Sequence, residues 1–82
     1  MRSEQLAEAY PDFEILVADG FDDAIIGFDA ASERVVYSIT DCIQILKDEG
    51  MTEEDAWDHF GFNVQGSYVG KRTPIWCDDT FF

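Results

Sequence analysis

Bases are scarce in this chain. Five Lys and Arg face 18 Asp and Glu over 82 residues, a formal net charge of −13. A surface of that sign repels phosphate backbones and anionic headgroups, so direct binding to nucleic acid or to a membrane surface is not expected. Long apolar runs are missing too. No stretch approaches the ~20 apolar residues of a membrane helix. Residues 1–9 carry one Arg and no apolar run, which does not read as a secretory signal. There is one histidine and there are two cysteines, Cys42 and Cys77, outside any short motif. A zinc site needs about four ligands at set spacings, and none is written here. The thiols read as reduced and buried in a cytoplasmic protein.

Catalytic patterns are equally sparse. His59 follows Asp58 and lies four residues after Asp55, a spacing that suits a surface ion pair better than a general base. No Ser, Thr or Cys has a nucleophile's setting. Asp22-Asp23 and Asp78-Asp79 are adjacent, which on extended backbone points them apart. Residues 19–23 have some features of a calcium loop but lack the alternating ligands and terminal Glu of an EF-hand. No cofactor is expected, and the chain reads as a non-enzyme. A divalent-metal hydrolase built on clustered Asp is the only workable enzymatic form.

What is present argues for folding. Apolar residues make up 46% and aromatics 15%, more than a disordered acidic tail would hold. The length fits one domain, 1–82, with a thin core. Ser3 is placed to start a short helix that Pro11 ends. Alternating Phe13, Ile15 and Val17 predict a strand, and Asp19-Gly20 a turn. Residues 24–28 and 34–38 read as strands joined by a loop over 29–33, with Gly27 marking a bulge. Ile39, Ile43 and Leu46 then fall at helical spacing, and Ser38 with Asp41 forms a start signal, predicting a helix over about 40–49 that ends at Gly50. Thr52 caps a second helix with Glu53, Glu54 and Asp55 in its first turn, and Trp57, Phe60, Val64 and Tyr68 form its apolar face. Gly61 is a candidate break. Residues 74–77 predict a last strand, and 78–82 a loose tail. Strands followed by helices indicate an α+β fold, a small antiparallel sheet of three to four strands with two to three helices on one face.

The charge is unevenly written. Residues 3–33 hold nine acids and no base, residues 48–58 six acids and no base, and residues 59–77 no acid. A domain of this size has a radius of gyration near ~12 Å and a diameter of roughly 30 Å. Duplex DNA presents about 18 phosphates over that length, so the 18 carboxylates can imitate it only if they cluster. Two plainer explanations compete. Acids at helix starts and turns satisfy the local backbone, and a high-salt environment screens such a surface.

Five blocks carry a resemblance. They are Phe21-Asp22-Asp23-Ala24-Ile25-Ile26-Gly27, Arg34-Val35-Val36-Tyr37, Met51-Thr52-Glu53-Glu54-Asp55-Ala56, residues 62–70, and Thr73-Pro74-Ile75. In this order, over residues 21–76, the chain resembles a family of short uncharacterised proteins of phages and prophages. The resemblance implies no mechanism and no catalytic residue, but it implies a host-directed context. Charge and context together predict an inhibitor of a basic host protein or ribonucleoprotein complex that handles nucleic acid, such as an anti-CRISPR or anti-restriction protein, acting in the host cytoplasm. The expected contact set is Asp19, Asp22, Asp23, Asp48, Glu49, Glu53, Glu54 and Asp58. The alternative is a structural or regulatory module, open to homo-oligomer formation, with Trp76, Phe81 and Phe82 as exposed apolar anchors.

Overall fold

A computed structural model describes residues 3–66 and 70–81. Tyr68, expected on a helix face, and Phe82, expected as an anchor, lie outside the described residues. The elements run α1 (Ser3–Ala9), a 3₁₀ turn (Asp22–Ala24), β1 (Ile25–Asp29), β2 (Arg34–Ser38), α2 (Ile39–Asp48), α3 (Glu53–His59), a π-helical turn (Phe60–Gln65) and β3 (Ile75–Cys77). The fold is α+β around a three-stranded sheet of order β1-β2-β3.

β1 and β2 form the expected antiparallel hairpin, and the ladder shifts register between Ile25 and Gly27, placing the bulge at the predicted glycine. β3 differs from expectation: it joins β2 in parallel, Tyr37 opposite Trp76. The chain leaves β2 into α2 and α3 and returns only after them. A helical crossover of this kind brings a strand back in the same direction. The sheet is therefore mixed.

Residues 14–18, expected as part of a strand, form none. Their anchoring is through side chains. Phe13 stacks on Tyr10 at 5.6 Å and on Phe28 at 5.7 Å. At the other end the Ala18 amide donates to Tyr37 Oη at 2.7 Å. Tyr37 is fully buried, and burial pushes its hydroxyl pKa up. Tyr37→Phe removes the acceptor and strands the Ala18 N–H. Urea denaturation should show a loss of about 1–2 kcal/mol.

α2 is capped as its sequence predicts. Ser38 Oγ accepts from Asp41 N at 3.0 Å. At the other end Gly50, with φ of 106°, donates to Lys47 O while Met51 N donates to Leu46 O, the paired bonds of a Schellman ending. The segment after β3, expected to be loose, is tied down at Asp79. Ser38 Oγ donates to Asp79 Oδ2 at 2.5 Å and Thr40 N donates to Asp79 Oδ1 at 3.0 Å. The Ser38 hydrogen bond, joined by that from Thr40, holds the Asp79 carboxyl below its usual pKa. A depressed folded pKa contributes stability above the unfolded value that is lost as pH falls through the folded one. The stability gap between the native chain and Asp79→Asn should thus be open at neutral pH and close below the carboxylate range. A gap unchanged in acid would remove this latch.

The core joins Leu6 of α1, Phe21, Ile25, Val35, Tyr37, Ile43, Leu46, Ala56 and Phe60. Ala56, Phe60 and Val64 face inward at four-residue spacing, while Trp57 is 41% exposed. Trp57 sits one residue, about 100°, off that stripe. Trp76 takes the inner place instead, 5.0 Å from Tyr37 and edge-on to Phe60 at 5.4 Å. It is therefore not the exposed anchor expected from sequence. The helix does change at the predicted glycine, but it widens into a π-turn rather than breaking.

Candidate protein-binding face

Three neighbouring elements hold the predicted contact set. Asp22 and Asp23 belong to the 3₁₀ turn, with Asp19 in the turn just before it. Asp48 ends α2, Glu49 caps it, and Glu53, Glu54 and Asp58 lie on α3. The 3₁₀ turn and α3 both pack against α2. Two acidic runs separated by about 25 residues of sequence therefore flank one helix. All eight side chains are exposed except Asp22, which is half-buried.

Local chemistry explains part of this arrangement. Thr52 Oγ1 accepts from Asp55 N at 3.2 Å, so α3 begins as expected and its acids lie at the positive end of the helix. Gln44 donates to Asp48 at 2.9 Å. Glu53 lies 3.8 Å from Lys47. Such exposed pairs contribute little, roughly 0–1 kcal/mol. Among the described residues Asp19, Glu49, Glu54 and Asp58 make no side-chain hydrogen bond or ion pair. His59 Nδ1 lies 3.4 Å from the Asn63 amide nitrogen, so the residue engages Asn63 rather than the acids predicted beside it.

Arg34 and Arg72 lie elsewhere. Arg72 bonds Glu14 at 3.0 Å and also pairs with Glu33. Arg34 donates to Thr73 O at 2.5 Å. Arg34 and Glu33 stand at the hairpin end of β2, whereas the 3₁₀ turn feeds the other end of the hairpin, where Ile25 pairs with Tyr37. Asp29 is also spent locally in the hairpin. Its carboxylate accepts from Ala31 N and Ser32 Oγ, and the Ser32 bond, foremost, holds its pKa down. The plain turn reading is right for this acid.

Other chemistry is thin. Among the described residues no three His, Cys, Asp or Glu side chains are grouped to hold a metal ion, and no helix is long and apolar enough to cross a membrane. Cys42 is buried and its thiol is pushed up to about 12, chiefly by burial. Cys77 is also free but only half-buried, against expectation, because it sits on an edge strand.

Two features escaped the sequence. One is the Asp79 latch on α2, which joins residues 41 positions apart. The other is an apolar groove of about 390 Å³ between residues 16–21, the π-turn and β3. Its only sequence signal was the apolar alternation of residues 13–17. Comparisons with known protein families, with curated proteins and with solved structures find no match.

Proposed function

We propose that this chain is a phage-type inhibitor that binds a basic, nucleic-acid-handling host complex, a CRISPR effector or restriction enzyme, through an acidic face that stands in for DNA. The observation that carries the reading is the packing of the 3₁₀ turn and α3 on α2, which brings one element from each acidic run against the same helix. Dimensions support it. The body measures 39 × 23 × 22 Å, and a duplex presents about 23 phosphates along 39 Å. The placement of Arg34 and Arg72 towards the hairpin end supports it too, since among the described residues Lys47 is then the base beside these carboxylates. Binding denies the channel to phosphate, and the field speeds association.

Trp57 adds an anchor. It lies three and four residues after Glu54 and Glu53, hence on their side of α3. An arginine of the partner stacks on the indole while pairing with those carboxylates.

The test is competition. A partner captured by the full chain is titrated with an unrelated duplex DNA. Mutually exclusive binding, weakening steeply with salt, is expected. A ternary complex with DNA still bound would refute the stand-in role. The high-salt explanation predicts something different, a protein that gains stability with salt but captures no basic partner.

A further inference from the structure

The turn that leads into the 3₁₀ turn treats its aspartate differently from the other aspartate positions. Phe21 N donates to Ala18 O at 3.2 Å and closes the turn around Asp19 and Gly20. Gly20 has φ of 88°, a left-handed conformation that glycine adopts without steric cost. Both residues are exposed. Among the described residues neither the Asp19 carboxylate nor the Gly20 N–H makes a hydrogen bond. The space beside Gly20 is open, since a Cβ built there meets no atom within 4 Å. Other aspartates are followed by a committed amide. Ala24 N, after Asp23, donates to Phe21 O; Glu49 N, after Asp48, donates to Ile45 O; Ala56 N, after Asp55, donates to Thr52 O. At Asp29 and Asp79 the carboxylate itself is held. Those bonds withhold the amide or fix the carboxyl away from it. At Asp19-Gly20 neither restraint operates.

We infer that Asp19-Gly20 is a site of spontaneous covalent modification, where the folded chain isomerises its own backbone to isoaspartate and is destabilised by the product. The reaction is intramolecular, so the two groups need no encounter. The Gly20 nitrogen attacks Asp19 Cγ. An N–Cγ bond forms, a Cγ–O bond breaks, and the hydroxyl of the protonated carboxyl leaves with the amide proton as water. Water then opens the succinimide ring. Addition at Cγ breaks the new N–Cγ bond and restores Asp19. Addition at the backbone carbonyl carbon breaks the original peptide bond instead. The chain then runs through Cβ and Cγ to Gly20, and the old carbonyl carbon carries the carboxylate. One water leaves and one returns, and no electron is transferred. The product adds one main-chain atom between two fixed points. Ala18 N is bonded to Tyr37 Oη, and Phe21 is buried in the core. A close-packed interior yields little to such an insertion. The inference is independent of the proposed partner.

The full chain is kept folded in warm neutral buffer made with H₂¹⁸O. Samples are digested over time with a protease that cleaves before aspartate but not before isoaspartate, and the peptides are weighed by mass spectrometry. The peptide holding Asp19 should gain solvent oxygen while the Ala18–Asp19 bond becomes resistant in step. Uptake there should exceed that at any other aspartate about 10-fold or more, a barrier lower by about 1.4 kcal/mol. Asp19→Glu, a change at an exposed side chain, should lose the label, because glutamate must close a larger ring. The isoaspartate fraction, separated by ion exchange, should unfold at lower urea than the native chain. Label that enters the urea-unfolded chain but not the folded one would overturn the inference. So would label spread evenly over the aspartates, or label kept in Asp19→Glu. An isoaspartate fraction with an unchanged urea midpoint would overturn its second half, the destabilising product.

Discussion

Reversing Glu53, Glu54 and Asp58 to lysine should abolish capture of the proposed partner while the domain stays folded. The three changes take the net charge from −13 to −7, since each adds two. All three side chains are exposed, so no core contact is lost. The folding cost is confined to the start of α3, where acids at the positive helix end contribute about 0.3–1 kcal/mol each. Thr52 keeps its cap on Asp55 N. The binding cost is far larger. Close charge pairs across an interface couple by about 1.5–7 kcal/mol, so the triple variant should bind more than ~100-fold more weakly. The matched glutamines separate charge from shape and should give an intermediate loss. Reversing Glu14 and Glu33, which pair with Arg72 near the hairpin, should leave capture unchanged. Calorimetry on the purified pair reads all three.

The second large effect is on stability. Phe60→Ala should remove about 3–5 kcal/mol. Phe60 is 1% exposed and packs edge-on against Trp76, with Ala56 and Val64 on its own face. It is also where α3 widens into the π-turn. A chain of 82 residues has a total stability of about 4–12 kcal/mol, so the loss is about a quarter of the total or more, and the urea midpoint followed by circular dichroism should fall markedly. Trp57→Ala, at an exposed site, should cost little in the same assay and weaken partner binding. That contrast separates the two aromatics of α3 by role.

The two tryptophans show where sequence stops being legible. Helical spacing put Trp57 in the core and left Trp76 for the surface. The structure reverses both. Periodicity locates a stripe to within a residue, and on a helix one residue is about 100°; Ala56, not Trp57, is on the stripe that reaches the sheet. Trp76 is drawn inward because β3 joins β2 in parallel, setting it against Tyr37. That pairing depends on a crossover of nearly 40 residues, which no local pattern encodes. Local signals did better. Ser38, Thr52 and Gly50 bound their helices as read, because caps are written within four residues of where they act. The strand expected at residues 13–17 failed for the opposite reason. Its alternation is real, but the aromatic contacts of Phe13 and the Tyr37 hydroxyl hold the segment without a ladder.

The candidate face was legible as composition and illegible as geometry. Every acid in the contact set could be named from charge runs. That the 3₁₀ turn and α3 pack on the same helix is a tertiary fact. The Asp79 latch and the groove behind Trp76 were hidden for the same reason.

Where a basic partner touches this body decides the account. Titrating it into the ¹⁵N-labelled full chain and following the backbone amides maps the footprint residue by residue. Perturbation centred on residues 19–23 and 48–58, fading as salt is added, is the predicted pattern. A footprint confined to the hairpin and the Arg72 side, with Glu53, Glu54 and Asp58 unmoved, would contradict it.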